Sequence, residues 1–305
     1  MIWIIAVISA LLLFIVLGLI WGFKTAFVRN NVRLIDLDSK SLSQYKEQFE
    51  IGFKYIDSYK SKRVFTKSYD NLKLAGKYFD NDSVSTIILF HGYRSDGRFD
   101  FACAVKYYID MGLNVLIVDQ RASGESEGKL ITYGIKERHD VVKWSEFVNR
   151  HYAPKNIFLS GISMGASTVM MASNLNLPNN VRGIIADCGF TSASDIIKKV
   201  ARVSFKINAT LILPLLNIGC KIYGKFSLDE IDTITALSQS NIPIFFIHGK
   251  CDGFVPCEMT EQSYQAAVAE KYICLVDDAD HGVSFLKDTQ NIQKQIAEFV
   301  TRYSS

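Results

Sequence analysis

Six short runs, mostly apolar and rich in β-branched residues, set the tightest limits on this chain: Thr86–Phe90, Val115–Val118, Ile157–Ser160, Gly183–Ala186, Ile244–Ile247 and Tyr272–Val276. They lack the polar alternation of a half-solvated strand, so each must be buried on both faces. Helix-length stretches separate them, among them Phe101–Met111, Gly134–His151, Ser163–Leu175 and Glu258–Ala269. Strands alternating with helices predict a mostly parallel sheet with helices on both faces. Arg63–Ser68 and Leu72–Phe79 flank Asp70-Asn71 and read as a hairpin. The count comes to about eight strands in one α/β domain over residues 63–305.

One interval breaks the alternation. Residues 190–240 hold no clear strand but contain Ile207–Ile218, an apolar stretch with Pro214 inside it. A connection this long is expected to carry helices of its own and reads as a small helical cap. Lys198, Arg202 and Lys206 recur every four residues, which would place them on one helical face.

The N-terminus constrains location. No charged residue occurs from Ile2 to Phe23. A helix of that length spans about 33 Å, enough for a bilayer core. Trp3 and Trp21 stand near its ends, as interfacial tryptophans do. A cleaved signal peptide would show a basic start, a shorter core and a small-x-small cleavage site, and these are missing. Residues 1–27 therefore read as a transmembrane anchor and 28–62 as a connecting segment, in which Phe49, Phe53 and Ile56 recur at helical spacing. A chain starting near Arg33 is then expected to be soluble and active. Lys24, Arg29 and Arg33 follow the apolar segment with no basic side chain before it, which places the domain on the cytoplasmic side.

Composition excludes several functions. A net charge of +3 with no block of five like charges gives no nucleic-acid surface. The six cysteines (Cys103, Cys188, Cys220, Cys251, Cys257 and Cys274) form no CxxC pair, which argues against a zinc site or a dense disulfide framework. Only Cys251 and Cys257 are near enough in sequence to suggest a single bridge. No nucleotide, flavin or metal motif is present, so no cofactor is expected.

The chemical signal is Gly161-Ile162-Ser163-Met164-Gly165, directly after one apolar run and opening a helix-like stretch. That context suits a nucleophile elbow, in which a sharp turn exposes a serine at a helix N-terminus. Composition alone would yield roughly 0.1 such motifs by chance in a chain like this, so the partners matter. An activated serine needs a base, and the base needs an acid to orient it. Asp252 follows the run Ile244–Ile247 through His248-Gly249-Lys250-Cys251, and His281 follows Tyr272–Val276. Both lie past the C-terminal ends of strands, where ligands bind in open α/β sheets. Of five histidines, only His281 is C-terminal to every candidate acid, including Asp187 at the end of Gly183–Ala186. The crowded Asp277, Asp278 and Asp280 read as residues that shape the loop around His281. An oxyanion needs two backbone N–H donors: Met164, after the nucleophile, and Tyr93 of His91-Gly92-Tyr93 are the candidates.

This ordered set, with Asp119-Gln120-Arg121-Ala122-Ser123-Gly124-Glu125-Ser126 between its members, resembles the α/β-hydrolase superfamily, and within it the serine-aminopeptidase/monoacylglycerol-lipase-like esterases. The resemblance covers about residues 63–305. It implies the α/β-hydrolase fold, a turn at 119–126 in which Ala122 stands where glycine is usual, an acid loop at Asp252 with Phe254-Val255-Pro256, and a cap between strands six and seven.

The reading is a serine hydrolase acting on a small-molecule or lipid-like ester or thioester through Ser163, Asp252 and His281. A membrane-tethered serine peptidase and an acyltransferase would use the same residues. A non-catalytic binding protein would not need them.

Overall fold

The computed structural model describes residues 2–30, 37–39 and 41–304; Arg33, counted in the charge asymmetry, lies outside the described residues. The expected strands form as β1 Ser61–Lys67, β2 Lys73–Phe79, β3 Ser85–Phe90, β4 Asn114–Val118, β5 Asn156–Ile162, β6 Val181–Asp187, β7 Ile244–Gly249 and β8 Lys271–Val276. They join in one sheet of order β1-β2-β4-β3-β5-β6-β7-β8. Strand β2 runs antiparallel to β1 and β4, and every pairing from β4 to β8 is parallel. The hairpin closes with Lys67 opposite Lys73 and Asn71 at φ 67°, a left-handed position that asparagine tolerates.

Side chains alternate between the two faces with period two. Ile87, Leu89, Val115 and Ile117 meet Phe158, Phe245 and Phe299 on one face. Ile88, Phe90, Leu116 and Val118 meet Trp144 and Met170 on the other. Each such side chain, fully buried, contributes about 1.5–3 kcal/mol. Helices Lys46–Ser58, Ala102–Asp110 and Thr289–Tyr303 cover the first face; Glu137–Tyr152 and Met164–Ala172 cover the second. The helix expected from Phe49, Phe53 and Ile56 is Lys46–Ser58, and it packs into the main core. Gly52 allows this approach, because a Cβ there would stand 2.2 Å from the Ala102 carbonyl oxygen.

Between β6 and β7 the chain forms helices Ala193–Ser204, Leu213–Gly219 and Thr233–Leu237, with a π-helical turn at Cys220–Gly224. Pro214 falls in the first turn of Leu213–Gly219, where its missing N–H has no helical partner to lose. Lys206 does not share a helical face with Lys198 and Arg202, as its spacing suggested: the helix ends at Ser204 and Lys206 turns left-handed at φ 57°. Within the apolar stretch Ile207–Ile218, the side chains of Ile207, Leu211, Leu215 and Ile218 are exposed.

Helix Ile2–Phe27 is long and apolar enough to cross a membrane, a property that N-terminal signal sequences share. Its final turn enters the domain. Phe27 is 0% exposed, packed against the rings of Tyr133 and Phe226, both at 5.6 Å. Beyond it Val28 pairs with Leu130, and the Arg29 guanidinium donates to the carbonyl oxygens of Gly124 and Ser126. A chain starting near Arg33 would lack Phe27 and these contacts, contrary to a simple tether. All six cysteines are free thiols, so Cys251 and Cys257 do not pair.

Candidate active site

Strand β5 delivers Ser163 into a turn that only its neighbours' small size permits. Ser163 sits at φ 56°, ψ −117°, outside the regions that L-residues ordinarily adopt. A Cβ at Gly161 would stand 2.2 Å from the Gly165 carbonyl carbon, and one at Gly165 would stand 1.9 Å from the Phe90 carbonyl oxygen. Backbone closes both positions to side chains, which is why the elbow needs glycine at each. The Ser163 N–H donates to the Asp187 carbonyl oxygen at 2.8 Å, pinning the turn to β6.

The loops after β7 and β8 bring the two expected partners to this serine. His281 Nε2 lies 2.9 Å from Ser163 Oγ, and His281 Nδ1 lies 2.7 Å from Asp252 Oδ2. The other carboxylate oxygen, Asp252 Oδ1, accepts the N–H groups of Phe254 and Val255, each at 2.8 Å. Burial pushes the Asp252 carboxyl up, but hydrogen bonds from His248 and His281 outweigh it and hold the group well below the usual carboxylate range. A charged Asp252 requires the proton on His281 Nδ1, so Nε2 is left to accept from the serine hydroxyl. Asp280 accepts the His281 backbone N–H at 2.8 Å and Asp277 pairs with Lys250, so these acids shape the loop.

The sequence reading passed over His248, the start of the His-Gly turn. It is fully buried, and its Nε2 faces Asp252 Oδ2 at 3.1 Å and the Val255 carbonyl oxygen at 3.0 Å. Both are acceptors, so Nε2 carries the proton, and Nδ1 accepts from Thr260 Oγ1 at 2.7 Å. The only sequence trace of this pair is the four-residue spacing to Asp252.

The alternative acid, Asp187, bonds neither histidine. Burial pushes its carboxyl up to about 6, and its Oδ1 has no partner among the described residues. Cys188 Sγ lies within 4.8 Å of ligand atoms of Asp252 and His281. Burial pushes that thiol well above its ordinary value, leaving a neutral packing group rather than a thiolate.

Opposite the serine, Asp100 holds the loop after β3 by accepting the Gly92 N–H at 2.6 Å and the Ser95 hydroxyl at 2.5 Å. The backbone N–H groups of Tyr93 and Met164 have no hydrogen-bond partner among the described residues. The Tyr93 ring stacks on Tyr133, 5.0 Å between centroids. Its hydroxyl donates to Ala26 O at 2.7 Å, and the Arg94 guanidinium donates to Thr25 O at 2.6 Å. Both acceptors are orphan carbonyls at the end of helix Ile2–Phe27. At the turn after β4, Ala122 takes φ 59°, the left-handed value that glycine would adopt freely.

This sheet order, elbow and helical insertion define an α/β-hydrolase, and the comparisons with known proteins agree. A family model described as "Serine aminopeptidase, S33" matches residues 81–220, a stretch that includes Ser163 and ends before Asp252 and His281. The chain has the α/β-hydrolase fold, and over residues 81–220 it is similar to the S33 serine aminopeptidases. It is 26% identical over 224 residues to the protein YqkD of Bacillus subtilis, covering 72% of each chain. To YfhR of Escherichia coli it is 22% identical over 255 residues, covering 80% of this chain and 82% of that one. Among solved structures, the Pyrococcus furiosus esterase Pf2001 superposes with a TM-score of 0.67 at 27% identity, over 82% of this chain and 96% of that one.

Proposed function

We propose that this protein is a serine esterase, held to a membrane by its N-terminal helix, that cleaves partly apolar carboxylic esters through an acyl-enzyme. The observation that carries the reading is the hydrogen-bonded line from Ser163 Oγ through His281 to Asp252, on a strained elbow. Ser163 Oγ attacks the ester carbonyl carbon while His281 Nε2 takes its proton. Negative charge on the carbonyl oxygen is met by the Tyr93 and Met164 N–H groups. The protonated His281 then hands the proton to the departing alkoxide, leaving Ser163 acylated. Water, deprotonated by the same nitrogen, attacks the acyl carbon and restores the serine. Asp252 stays charged and steadies the imidazolium. The Pyrococcus furiosus neighbour, described as an esterase, supports an ester over an amide.

Two features support a retained helix rather than a cleaved signal sequence: Phe27 fills the domain core, and Thr25 and Ala26 accept hydrogen bonds from the loop beside the serine. Lys24 and Arg29 after the span favour a cytoplasmic domain. The domain is taken as residues 63–305 with the cap at about 190–240. The test is covalent labelling of the full chain with a fluorophosphonate, then turnover of p-nitrophenyl esters of graded chain length beside aminoacyl amides. Labelling at Ser163 with esters turned over fastest is expected. Faster turnover of amides would assign the site to a peptidase.

A further inference from the structure

The cap carries an apolar face that none of the described residues covers. Leu211 is 83% exposed, Tyr223 79% and Ile222 65%, and Val203, Phe205 and Ile218 are exposed with them. Soluble domains seldom leave such a patch bare without a use for it. Two observations say what it meets. The first is continuity with the N-terminal helix. The Trp21 ring packs edge-on against Phe205 at 5.5 Å, and Phe23 lies 6.3 Å from Tyr223. If the helix spans a bilayer, Trp21 and Phe23 mark the depth at which it emerges, and the cap begins there. The second is charge. Residues 198–225 contain six basic side chains and no Asp or Glu, and of the six Lys198 pairs with Asp195 just outside the stretch. The whole chain carries +3, so the remaining residues sum to −3. Arg202, Lys206, Lys221 and Lys225 are exposed around the apolar face. A second copy of the chain would set one basic rim against another, whereas anionic headgroups would neutralise it.

We infer that the cap is a second membrane contact: its apolar face, Val203 to Tyr223, lies in the interface of an anionic bilayer with the basic rim at headgroup level. This rests on the reading of the N-terminal helix as a retained span, and it goes beyond it. The enzyme lies against the membrane on its cap instead of hanging from a tether. Substrate would then reach the site from the lipid phase without crossing water.

The test uses the full chain in vesicles of phosphatidylcholine with phosphatidylglycerol, in a Cys251→Ser background. Single cysteines at Leu13→Cys, Leu211→Cys, Ile222→Cys and Val268→Cys each receive an environment-sensitive fluorophore, with the background chain as blank. Val268 is exposed just ahead of the N-terminal end of β8, whereas the apolar face Val203 to Tyr223 follows the C-terminal end of β6. Quenching by spin-labelled lipid should affect the two cap labels to within about twofold of the Leu13 label and leave the Val268 label untouched. Triple reversal Lys206→Glu, Lys221→Glu and Lys225→Glu should release the cap labels to aqueous iodide while the Leu13 label stays in lipid. A quenched Leu13 label with cap labels that behave like Val268 overturns the proposal and leaves the anchor standing. Four unquenched labels overturn both. Cap labels shielded from iodide yet untouched by lipid quencher mean that protein covers the face, which also overturns it.

Discussion

The Tyr93 hydroxyl donates to the Ala26 carbonyl oxygen at 2.7 Å, joining the loop that faces Ser163 to the last turn of the apolar N-terminal helix. Arg94 repeats the link to Thr25 and Val28, and Tyr133 adds a bond to Ala26 at 3.1 Å. The helix end is therefore structural to the site. Phe27→Ala should cost about 3–5 kcal/mol of stability through the cavity it leaves. Tyr93→Phe, which keeps the backbone N–H, should lower kcat by up to about tenfold, the scale of one hydrogen bond. Denaturant unfolding and ester kinetics check both; a silent Phe27→Ala would show that the helix end is dispensable.

Replacing Ser163 with alanine should abolish fluorophosphonate labelling and lower turnover by about 10⁶-fold, and His281→Ala should match it. Asp252→Asn should lose on the order of 10⁴-fold, because the wrong histidine tautomer is then favoured. Asp187→Asn should leave most activity. A crippling Asp187→Asn beside a nearly silent Asp252→Asn would move the acid to β6.

In the proposed reaction His248 would act only through Asp252. Its Nε2–H is the second histidine bond to Oδ2, and Thr260 keeps its tautomer fixed. Loss of a hydrogen bond to a buried charge is worth about 1.5–3 kcal/mol. His248→Ala should thus cost about 10- to 100-fold in kcat with little change in KM, and Thr260→Val should cost less. His248→Gln, which keeps a donor, should recover part of the loss. A change confined to KM, or to stability alone, would deny it a positioning role.

Asp187 gives a pH signature with a definite sign. Burial lifts its folded-state pKa to about 6, from an ordinary value of 3.8. Below about pH 3 it is almost wholly neutral, folded or unfolded, and costs nothing. As pH rises towards 6 the unfolded chain ionises freely while the native carboxyl resists, and stability is lost, reaching on the order of 2–3 kcal/mol for a shift of this size. Asp187→Asn should therefore be more stable than the native chain at pH 8 and about level with it at pH 3. Urea midpoints at the two pH values decide it, and equal differences at both would refute the assignment.

What the sequence disclosed follows from the range of the forces involved. The strands were legible because each run is apolar on both faces. The elbow was legible because backbone closes Gly161 and Gly165 to any side chain. His281 followed from chain order, and β7 and β8 bring it to Asp252. His248 was missed because a His-Gly turn reads the same whether or not its ring reaches an acid four residues on. The exposure of Leu211 and Ile218 had no sequence signal, because an apolar run reads the same whether protein or some other surface covers it. The bond from Tyr93 to Ala26 joins positions 67 residues apart, and no local pattern couples them.

The elbow also divides two kinds of fitness. Ser163 is held at φ 56°, ψ −117°, a strain on the order of 1–3 kcal/mol. Glycine would take that conformation freely, at an unfolded-state entropy cost of about 0.5–1 kcal/mol. The inert variant Ser163→Gly should accordingly melt higher than the native protein. If it does, the most stable sequence for this fold is one that cannot react, and selection for turnover, not for folding, is what keeps a serine at residue 163.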